Sequence, residues 1–242
     1  MTSTSTSTVT TIPLTSLALL LVPVALVLWV QYRWSLNYKE GFYAVGRMLG
    51  QLLIIGYFLG SIFNAESAWV IVLILSMMVL ASSWIALRTV KIDRNKLFVI
   101  VLISIVVGSG SVLLLVTQGV LRINPWYKAT IMIPLAGMIF SNALNAISLA
   151  AERFTDEYDR GKSYEEARRI AYKTALIPII NALFAVGLVS LPGMMTGQIL
   201  SGVAPLIAAR YQIMVMAMIF SSGGLASAIY LMLIKKYLID RS

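Results

Sequence analysis

Residues 174–209 read TALIPIINALFAVGLVSLPGMMTGQILSGVAPLIAA, a run of 36 residues without a charged side chain. As a single helix this run is about 54 Å long at 1.5 Å per residue, which is too long for one crossing of a ~30 Å hydrocarbon core. Pro192–Gly193 is the natural break, because proline removes a backbone donor and clashes with the preceding helical turn. We therefore predict one crossing plus a further piece over 192–209, either a re-entrant piece or part of a broken span. Non-helical backbone at membrane depth must be buried in protein or line a wet cavity, so this piece should not face lipid.

The composition is that of a helical membrane protein with several spans. Of the 242 residues, 59% are hydrophobic and 12% are charged, and the mean hydropathy is +0.87. Soluble domains have about half and about a quarter of their residues in these two classes. The charge-free runs, most of them long enough to cross a bilayer as a helix, are Leu14–Val30, Met48–Ala65, Ser67–Leu87, Leu97–Leu121, Ala129–Ala151, Thr174–Ala209 and Tyr211–Ile234. We predict an all-α bundle of about seven membrane segments that forms a single domain over residues 1–242.

Several functions are disfavoured by what the sequence contains. The net charge of +9 does not indicate nucleic-acid binding, because Lys and Arg cluster in short segments between the apolar runs. The sequence has no Cys and no His, which excludes disulfides, thiolate or imidazole metal ligands, and nucleophilic chemistry based on either residue. The Ser and Thr residues of the apolar runs have no basic or acidic neighbour to activate them, so we expect no catalytic activity.

The basic residues predict how the chain is oriented in the membrane. With the N-terminus outside, sixteen of the nineteen Lys and Arg residues fall inside, and only Arg122, Lys128 and Arg210 fall outside. This asymmetry follows the positive-inside rule and places the C-terminus in the cytoplasm. The Ser/Thr-rich start, residues 1–13, lacks the basic region and the cleavage site of a secretory signal. We expect it to be a disordered, non-cytoplasmic tail before a retained first span.

Residues 31–47 have an amphipathic pattern of their own. One helical face is apolar and carries Trp34, Tyr38, Phe42, Val45 and Leu49. The other face carries Arg33, Lys39, Glu40 and Arg47. This pattern is typical of a helix that lies in the plane of the membrane interface. An ordinary juxtamembrane loop is the alternative.

The longest polar stretch is AERFTDEYDRGKSYEEARRIAYK, residues 151–173. Gly161-Lys162-Ser163 looks like the end of a phosphate-binding loop, but Asp156 stands where the first glycine should be. No strand precedes it either, so we do not expect this chain to bind ATP. Ser163 and Glu166 instead fit a capping box that starts a helix.

This stretch is predicted to form two short helices, about 150–159 and 164–173, joined at 160–162. Glu165 and Arg169 are spaced for an ion pair on the second helix. Phe154 and Tyr158 lie among charges, and aromatic residues dominate the energetics of protein interfaces. A cytoplasmic docking loop is therefore one interpretation, and a solvated connector is the other.

The apolar runs contain mildly polar residues and no charge, which disfavours the proton relays and buried ion pairs of many secondary transporters. Hydrogen bonds between helices account for any one of these polar residues. Because they occur on the segments that flank the break, we also consider the set as a pathway or gate. Its members are Asn142, Asn145, Asn181, Pro192, Gly193, Met194, Met195, Thr196 and Gln198.

Two further features of the apolar runs concern packing. Met194 and Met195 are either soft thioether ligands for a metal or fillers of irregular gaps. Glycines four residues apart, a spacing that allows helix backbones to approach, occur as the pairs Gly46/Gly50, Gly56/Gly60 and Gly193/Gly197.

From about Ser141 to Ile213 the chain resembles the FetB-type permeases of ABC transporters, a family related to the plant aluminium-sensitivity permeases. The resemblance is carried by NALNAISLAAERFTDEY, residues 142–158, and by NALFAVGLVSLPGMMTGQILSGVAPLIAARYQI, residues 181–213. It is looser but collinear over most of the remaining chain, and the Ser/Thr-rich start falls outside it.

The resemblance implies a multi-pass subunit of the plasma membrane that pairs with a second copy and with a separate cytosolic ABC ATPase. ATP and Mg²⁺ would be bound by that partner, and this chain would bind no cofactor. The loop would couple the two subunits through Glu152, Arg153, Phe154, Asp156, Glu157, Tyr158, Glu165, Glu166 and Arg168. The family's bacterial members imply export of iron or another metal ion, and its plant members imply export of a sugar nucleotide or another small solute. An ATP-independent channel or secondary transporter is the competing class.

Overall fold

The computed structural model describes residues 12–64, 67–88 and 94–239, and its contacts divide the chain into the units Met1–Asn64 and Ala65–Ser242. The regular structure of the described residues is helical, which confirms the predicted all-α class. Residues 1–11, and with them nearly all of the predicted N-terminal tail, lie outside the described part of the chain.

The first unit is a helical hairpin. It consists of α1 (Leu14–Ala18), α2 (Leu21–Arg33) and α3 (Tyr38–Phe63). Near the turn, α2 and α3 approach closely, and a Cβ placed on Gly41 would lie 2.8 Å from Gln31 Oε1. Residues 31–47 do not form the separate interfacial helix that the sequence predicted. They comprise the end of α2, a turn and the start of α3, which continues into the apolar run because no proline interrupts it.

The second unit begins with two apolar rods. The first is α4 (Ala68–Ala86). The second is a continuous series formed by α5 (Arg94–Ser104), π-helical turns at Ile105–Ser109, α6 (Gly110–Leu114) and further π-helical turns at Leu115–Val120. Short π-helical turns are rare and often occur at functional positions.

The core of the second unit is built around α7 (Ala129–Asp159), which packs against α4, α8 (Tyr164–Ala185) and α10 (Pro205–Ile239). Residues three or four apart share one face of a helix, and a buried stripe follows this spacing along α7. It contains Leu135, Ile139, Ala143, Ala146, Ile147, Ala150 and Phe154. The small alanines in this stripe allow the helix backbones to approach.

The predicted break in residues 174–209 is confirmed and is wider than expected. Helix α8 ends at Ala185, a short helix α9 spans Gly193–Leu200, and α10 begins at Pro205. Pro192 does not interrupt a helix but caps the start of α9. The chain turns on both sides of α9 at Gly187 and Gly202, whose φ angles of 83° and 90° suit glycine without strain.

The contacts of α8 show how this segment is arranged. The Tyr164 hydroxyl at the start of α8 donates a 2.6 Å hydrogen bond to the Leu231 carbonyl near the end of α10. A Cβ placed on Gly223 of α10 would lie 2.5 Å from Ile179 Cδ1, further along α8. Helices α8 and α10 are therefore antiparallel. Residues 174–209 make one traverse, followed by a short helix at its far end and a return through α10.

Six helices of the described residues are long and apolar enough to cross a membrane. Helix α8 is not among them because its first turns are charged, and with it the number agrees with the predicted seven segments. We call the α7–α8 turn (160–163), together with the last turns of α10, the turn end. The opposite end, where α9 lies beside the start of α10, is the cavity end. The loop between α7 and α8 and Lys235 thus lie at the same end of the helices, the turn end, as predicted. The side of the membrane that the turn end faces stays a prediction.

Close helix packing occurs at glycines that the four-residue spacing did not indicate. A Cβ placed on Gly108 would lie 2.7 Å from the Ala226 backbone nitrogen. A Cβ placed on any glycine of the three predicted pairs would meet nothing within 4 Å in the part of the chain that is described.

Candidate functional site

The cavity end contains a cavity of about 790 Å³. It lies between the short helix α9, the first turns of α7 and α10, and the segment around Ile123. Its walls include Lys128, Met138, Met194, Gln198, Tyr211 and Met214. This volume falls in the range of pockets that bind small organic molecules.

The structure brings two of the predicted pathway residues, Met194 and Gln198, to this cavity. Pro192 and Gly193 begin the helix that carries them. Met195 and Thr196 are not among the lining residues, and the Thr196 hydroxyl donates a 3.2 Å hydrogen bond to the Pro192 carbonyl.

The three predicted asparagines do not line the cavity. The Asn142 amide donates a 2.8 Å hydrogen bond to the Met138 carbonyl of its own helix. Asn145 and Asn181 are exposed on the surfaces of α7 and α8. The three therefore do not converge on one site within a single copy of the chain.

The sequence did not indicate that Met138 and Met214 share the cavity with Met194. Each lies in a regular apolar helix, and only the fold brings the three helices together. Met195, the sequence neighbour of Met194, does not line the cavity. Among the described residues there is no cluster of three His, Cys, Asp or Glu side chains that could hold a metal ion.

At the turn end, Phe154 is buried instead of exposed. Its side chain is 1% accessible, so it does not belong to a docking surface as the sequence suggested. The ring stacks on Tyr158 with a centroid distance of 5.7 Å and meets Tyr164 edge-on at 5.8 Å. Phe154 thus joins α7 to α8 across the turn.

Glu157 is also buried, with an accessibility of 1%. Its carboxylate forms ion pairs with Arg153 at 2.6 Å, with Arg160 at 3.9 Å, and with Lys162. Burying a carboxylate is unfavourable unless it is paired, and these cations offset that cost while their own side chains reach solvent. Glu157 therefore holds the turn together and is not available to a partner.

The helices at the turn differ from those predicted. The structure does not contain the two separate short helices. Residues 150–159 are the last turns of α7, residues 164–173 are the first turns of α8, and the two helices meet at the predicted turn. The capping box is confirmed: Ser163 Oγ accepts a hydrogen bond from the Glu166 backbone N–H, and Glu166 accepts one from the Ser163 backbone N–H. The carboxylate of Glu165 pairs with Arg168, not with Arg169.

Several predicted coupling residues are accessible at this end. Tyr158 is 40% exposed, and the carboxylates of Glu152, Asp156, Glu165 and Glu166 are also exposed. Arg153 and Arg168 are half-buried and engaged in ion pairs. The accessible surface of the turn therefore carries mixed charges, with exposed Arg160 and Lys162 beside these carboxylates, and one aromatic side chain. Phe154 and Glu157 hold this surface in place from below.

A groove of about 680 Å³ lies between α8 and α10 beside the turn, lined by residues that include Arg169, Tyr172 and Leu231. Close to it, the Tyr164 ring lies 5.4 Å from the Arg168 guanidinium and 5.1 Å from Lys235 Nζ. Burial raises the pKa of the Tyr164 phenol, so it stays protonated and continues to donate to Leu231.

Two tyrosines provide a paired test of the packing of α10. We expect Tyr164→Phe to lower the free energy of unfolding by about 0.5–1.5 kcal/mol, because the bond to the Leu231 carbonyl is lost. Tyr230→Phe should be neutral or stabilising, because the buried Tyr230 hydroxyl has no hydrogen-bond partner in the described structure. Unfolding of the detergent-solubilised protein by SDS measures both. Equal losses for the two variants would contradict this assignment.

Comparison with known proteins agrees with the fold. The model of an uncharacterised protein family, UPF0014, matches residues 14–166 and 158–239. The chain is 34% identical over 202 residues to the UPF0014 membrane protein slr1647 of Synechocystis sp., covering 76% of this chain and 77% of the relative. It is 34% identical over 230 residues to the probable iron export permease protein FetB of Escherichia coli, covering 88% and 86%.

The relationship extends to plants. The chain is 32% identical over 225 residues to the protein ALUMINUM SENSITIVE 3 of Arabidopsis thaliana, covering 86% of this chain and 80% of the relative. No solved structure matches the chain. Because the family model and these relatives match most of the chain, and because its long helices are apolar enough to cross a membrane, this chain is a multi-pass membrane protein that belongs to the UPF0014 family.

Proposed function

We propose that this chain is the permease subunit of an ATP-driven exporter, energised by a separate cytosolic ABC ATPase that binds ATP and Mg²⁺. The name of the E. coli relative supports a permease, and iron or another metal ion is therefore the first cargo to test. A sugar nucleotide or another small solute is the alternative. The chain itself is non-catalytic in this proposal.

The observation that carries the proposal is the continuity of α7. Beyond Pro134 it continues without a further proline for about 32 Å, from a cavity wall at Met138 to its end at Asp159, just after Glu157. A helix without an internal break transmits a displacement of the turn to the cavity as a tilt. The broken connection between α8 and α10 leaves α9 able to move when α7 tilts, which is what a gate requires.

The proposal includes pairing with a second copy of the chain. Asn145 and Asn181 are exposed within the apolar parts of α7 and α8, where polar side chains facing lipid are unfavourable. A second copy that covers this face would allow them to form hydrogen bonds across the interface.

The exposed charges and the exposed aromatic ring of the turn define the docking test. Asp156→Arg combined with Tyr158→Ala reverses a charge and removes the exposed aromatic ring, while Phe154 and Glu157 are left in place. We expect at least a tenfold loss of the stimulation of ATPase activity in lipid vesicles, and loss of co-purification with the ATPase. The thermal midpoint should fall by only a few degrees, because the stack of Tyr158 on Phe154 is lost while Phe154 stays buried. The partner to use is a cytosolic ABC ATPase from the same organism.

The matched control is Arg210→Glu, which reverses an exposed charge at the cavity end and should leave association intact. If the wild-type chain and the ATPase do not associate in vesicles under any nucleotide condition, the proposal fails. Solute flux in vesicles without ATP would then assign the chain to the channel or secondary-transporter class.

A further inference from the structure

The charge that lines the cavity at the cavity end is positive. Among the described residues that line the cavity, Lys128 is the one with a charged side chain, and none of them carries a carboxylate. Six of the ten acidic residues of the chain lie within 152–166, at the opposite end of α7. A ligand in this cavity therefore meets an ammonium group that the cavity itself does not neutralise.

The walls of the cavity are mainly apolar and adaptable. Met138, Met194 and Met214 come from three different helices, and Leu135 and Ile207 add aliphatic surface. Methionine side chains are flexible and polarizable, so they fit irregular apolar shapes and are frequent at binding surfaces that accept several partners. These walls suit the apolar body of an organic molecule.

One wall residue also has an unsatisfied acceptor. Gln198 Oε1 is buried and has no hydrogen-bond partner in the described structure. A buried acceptor without a donor is unfavourable. A ligand with an N–H or O–H group would supply the missing donor after a small rotation of the side chain.

A bare metal ion does not fit this set of groups. Hard cations require several oxygen ligands, commonly carboxylates, and a single ion would fill little of a cavity of about 790 Å³. The ammonium of Lys128 would also repel it. An organic anion uses the size, the apolar walls and the charge together.

We propose that this cavity binds an amphipathic organic anion, with its anionic group on Lys128, its apolar body among Met138, Met194 and Met214, and a donor group directed at Gln198. The proposal deepens the alternative form of the proposed function, in which the cargo is a small organic solute. That the bound anion is also the exported molecule rests on the proposed function. The binding itself needs neither ATP nor a partner, so it can be tested separately.

Two fluorescent probes differ in the decisive group. 1-Anilinonaphthalene-8-sulfonate has an apolar ring system, one N–H and a sulfonate, and N-phenyl-1-naphthylamine is the same molecule without the sulfonate. Binding of each is measured to the full chain in nanodiscs of uncharged lipid, with the signal of empty nanodiscs subtracted. We expect saturable binding of the sulfonate to the wild-type protein.

The variants separate the parts of the site. Lys128→Gln should weaken the sulfonate roughly 10- to 100-fold and leave the uncharged probe unchanged, because one charge-assisted contact is removed. Arg210→Gln removes a cation at the same end that does not line the cavity and should change neither probe. Met194→Trp replaces an adaptable side chain of the apolar wall by a larger and more rigid one and should weaken both probes alike, with an unchanged thermal midpoint showing that the fold is kept.

The proposal is overturned if the sulfonate shows no saturable binding, if Lys128→Gln has no effect, or if Lys128→Gln and Arg210→Gln have equal effects. Displacement of the probe by Fe²⁺ alone would also overturn it, in favour of a site for the bare ion. Displacement by Ag⁺ that is lost in Met138→Ile combined with Met194→Ile would show a thioether metal site instead. None of these measurements involves the ATPase, so failure of the docking test would leave the binding result intact.

Discussion

Gly108→Ala is expected to lower the free energy of unfolding by about 3 kcal/mol, the upper part of the range for overpacked positions. The added Cβ would lie 2.7 Å from the backbone nitrogen of Ala226 and 2.8 Å from its Cα atom. Both are backbone atoms of a long helix, so no side-chain rotation can relieve the contact. The π-helical turns at Ile105–Ser109 and α10 would have to separate.

Gly110→Ala is the matched control, two residues further along the same rod. A Cβ at Gly110 meets nothing within 4 Å in the described structure, and the residue begins the regular helix α6. Alanine is favoured over glycine in a helix by about 0.5–1 kcal/mol, so this variant should be neutral or slightly more stable. SDS unfolding of both proteins in detergent decides the matter. Similar behaviour of the two variants would refute the close contact at Gly108.

The sequence predicts the helices and the break because those depend on local chemistry. Long charge-free runs have to be helical in a bilayer, since each backbone polar group needs a partner within its own segment. The capping box at Ser163 and Glu166 is likewise a property of four consecutive residues, and the structure confirms it. The region of Pro192 is also non-helical as expected, although Pro192 itself begins a new helix.

The burial of Phe154 and Glu157 could have been predicted from the same periodicity. Ala143, Ala146, Ala150, Phe154 and Glu157 follow each other at steps of three or four residues, and all are buried. Treating residues 150–159 as a separate short helix interrupted this stripe, and the aromatic ring among charges then suggested an exposed surface. When the periodicity of α7 is extended through residues 150–159, it predicts that both Phe154 and Glu157 lie on the buried face of the helix, as observed.

The cavity could not have been predicted in the same way. Met138, Met194 and Met214 are far apart in the sequence, and they meet only because α9 lies beside the first turns of α7 and α10. The contact of Gly108 with Ala226 likewise depends on how two rods are placed, whereas the spacing of glycines along one helix does not reveal what faces them. Such features belong to the tertiary arrangement and leave little trace in a local pattern.

Phe154→Ala is expected to lower the free energy of unfolding by about 3–5 kcal/mol, because it empties the space of a fully buried ring between α7 and α8. The substitution removes both the stack on Tyr158 and the edge-on packing against Tyr164. Phe154→Met keeps most of the volume and should cost less than about 1.5 kcal/mol. Unfolding in detergent measures the difference between the two variants.

The same pair of variants separates a packing role from a docking role. If Phe154 stabilises the turn, Phe154→Met keeps both the fold and the association with the ATPase. Phe154→Ala then loses association only at temperatures where its own unfolding begins. Tyr158→Ala should instead weaken association at temperatures where the protein is fully folded, while its thermal midpoint falls by only about 2–5 °C, much less than that of Phe154→Ala, since its ring is partly exposed. A Phe154→Ala protein that is as stable as the wild type but does not bind the ATPase would place the ring on the outer surface of the turn, and would refute the arrangement in which Phe154 braces α7 against α8.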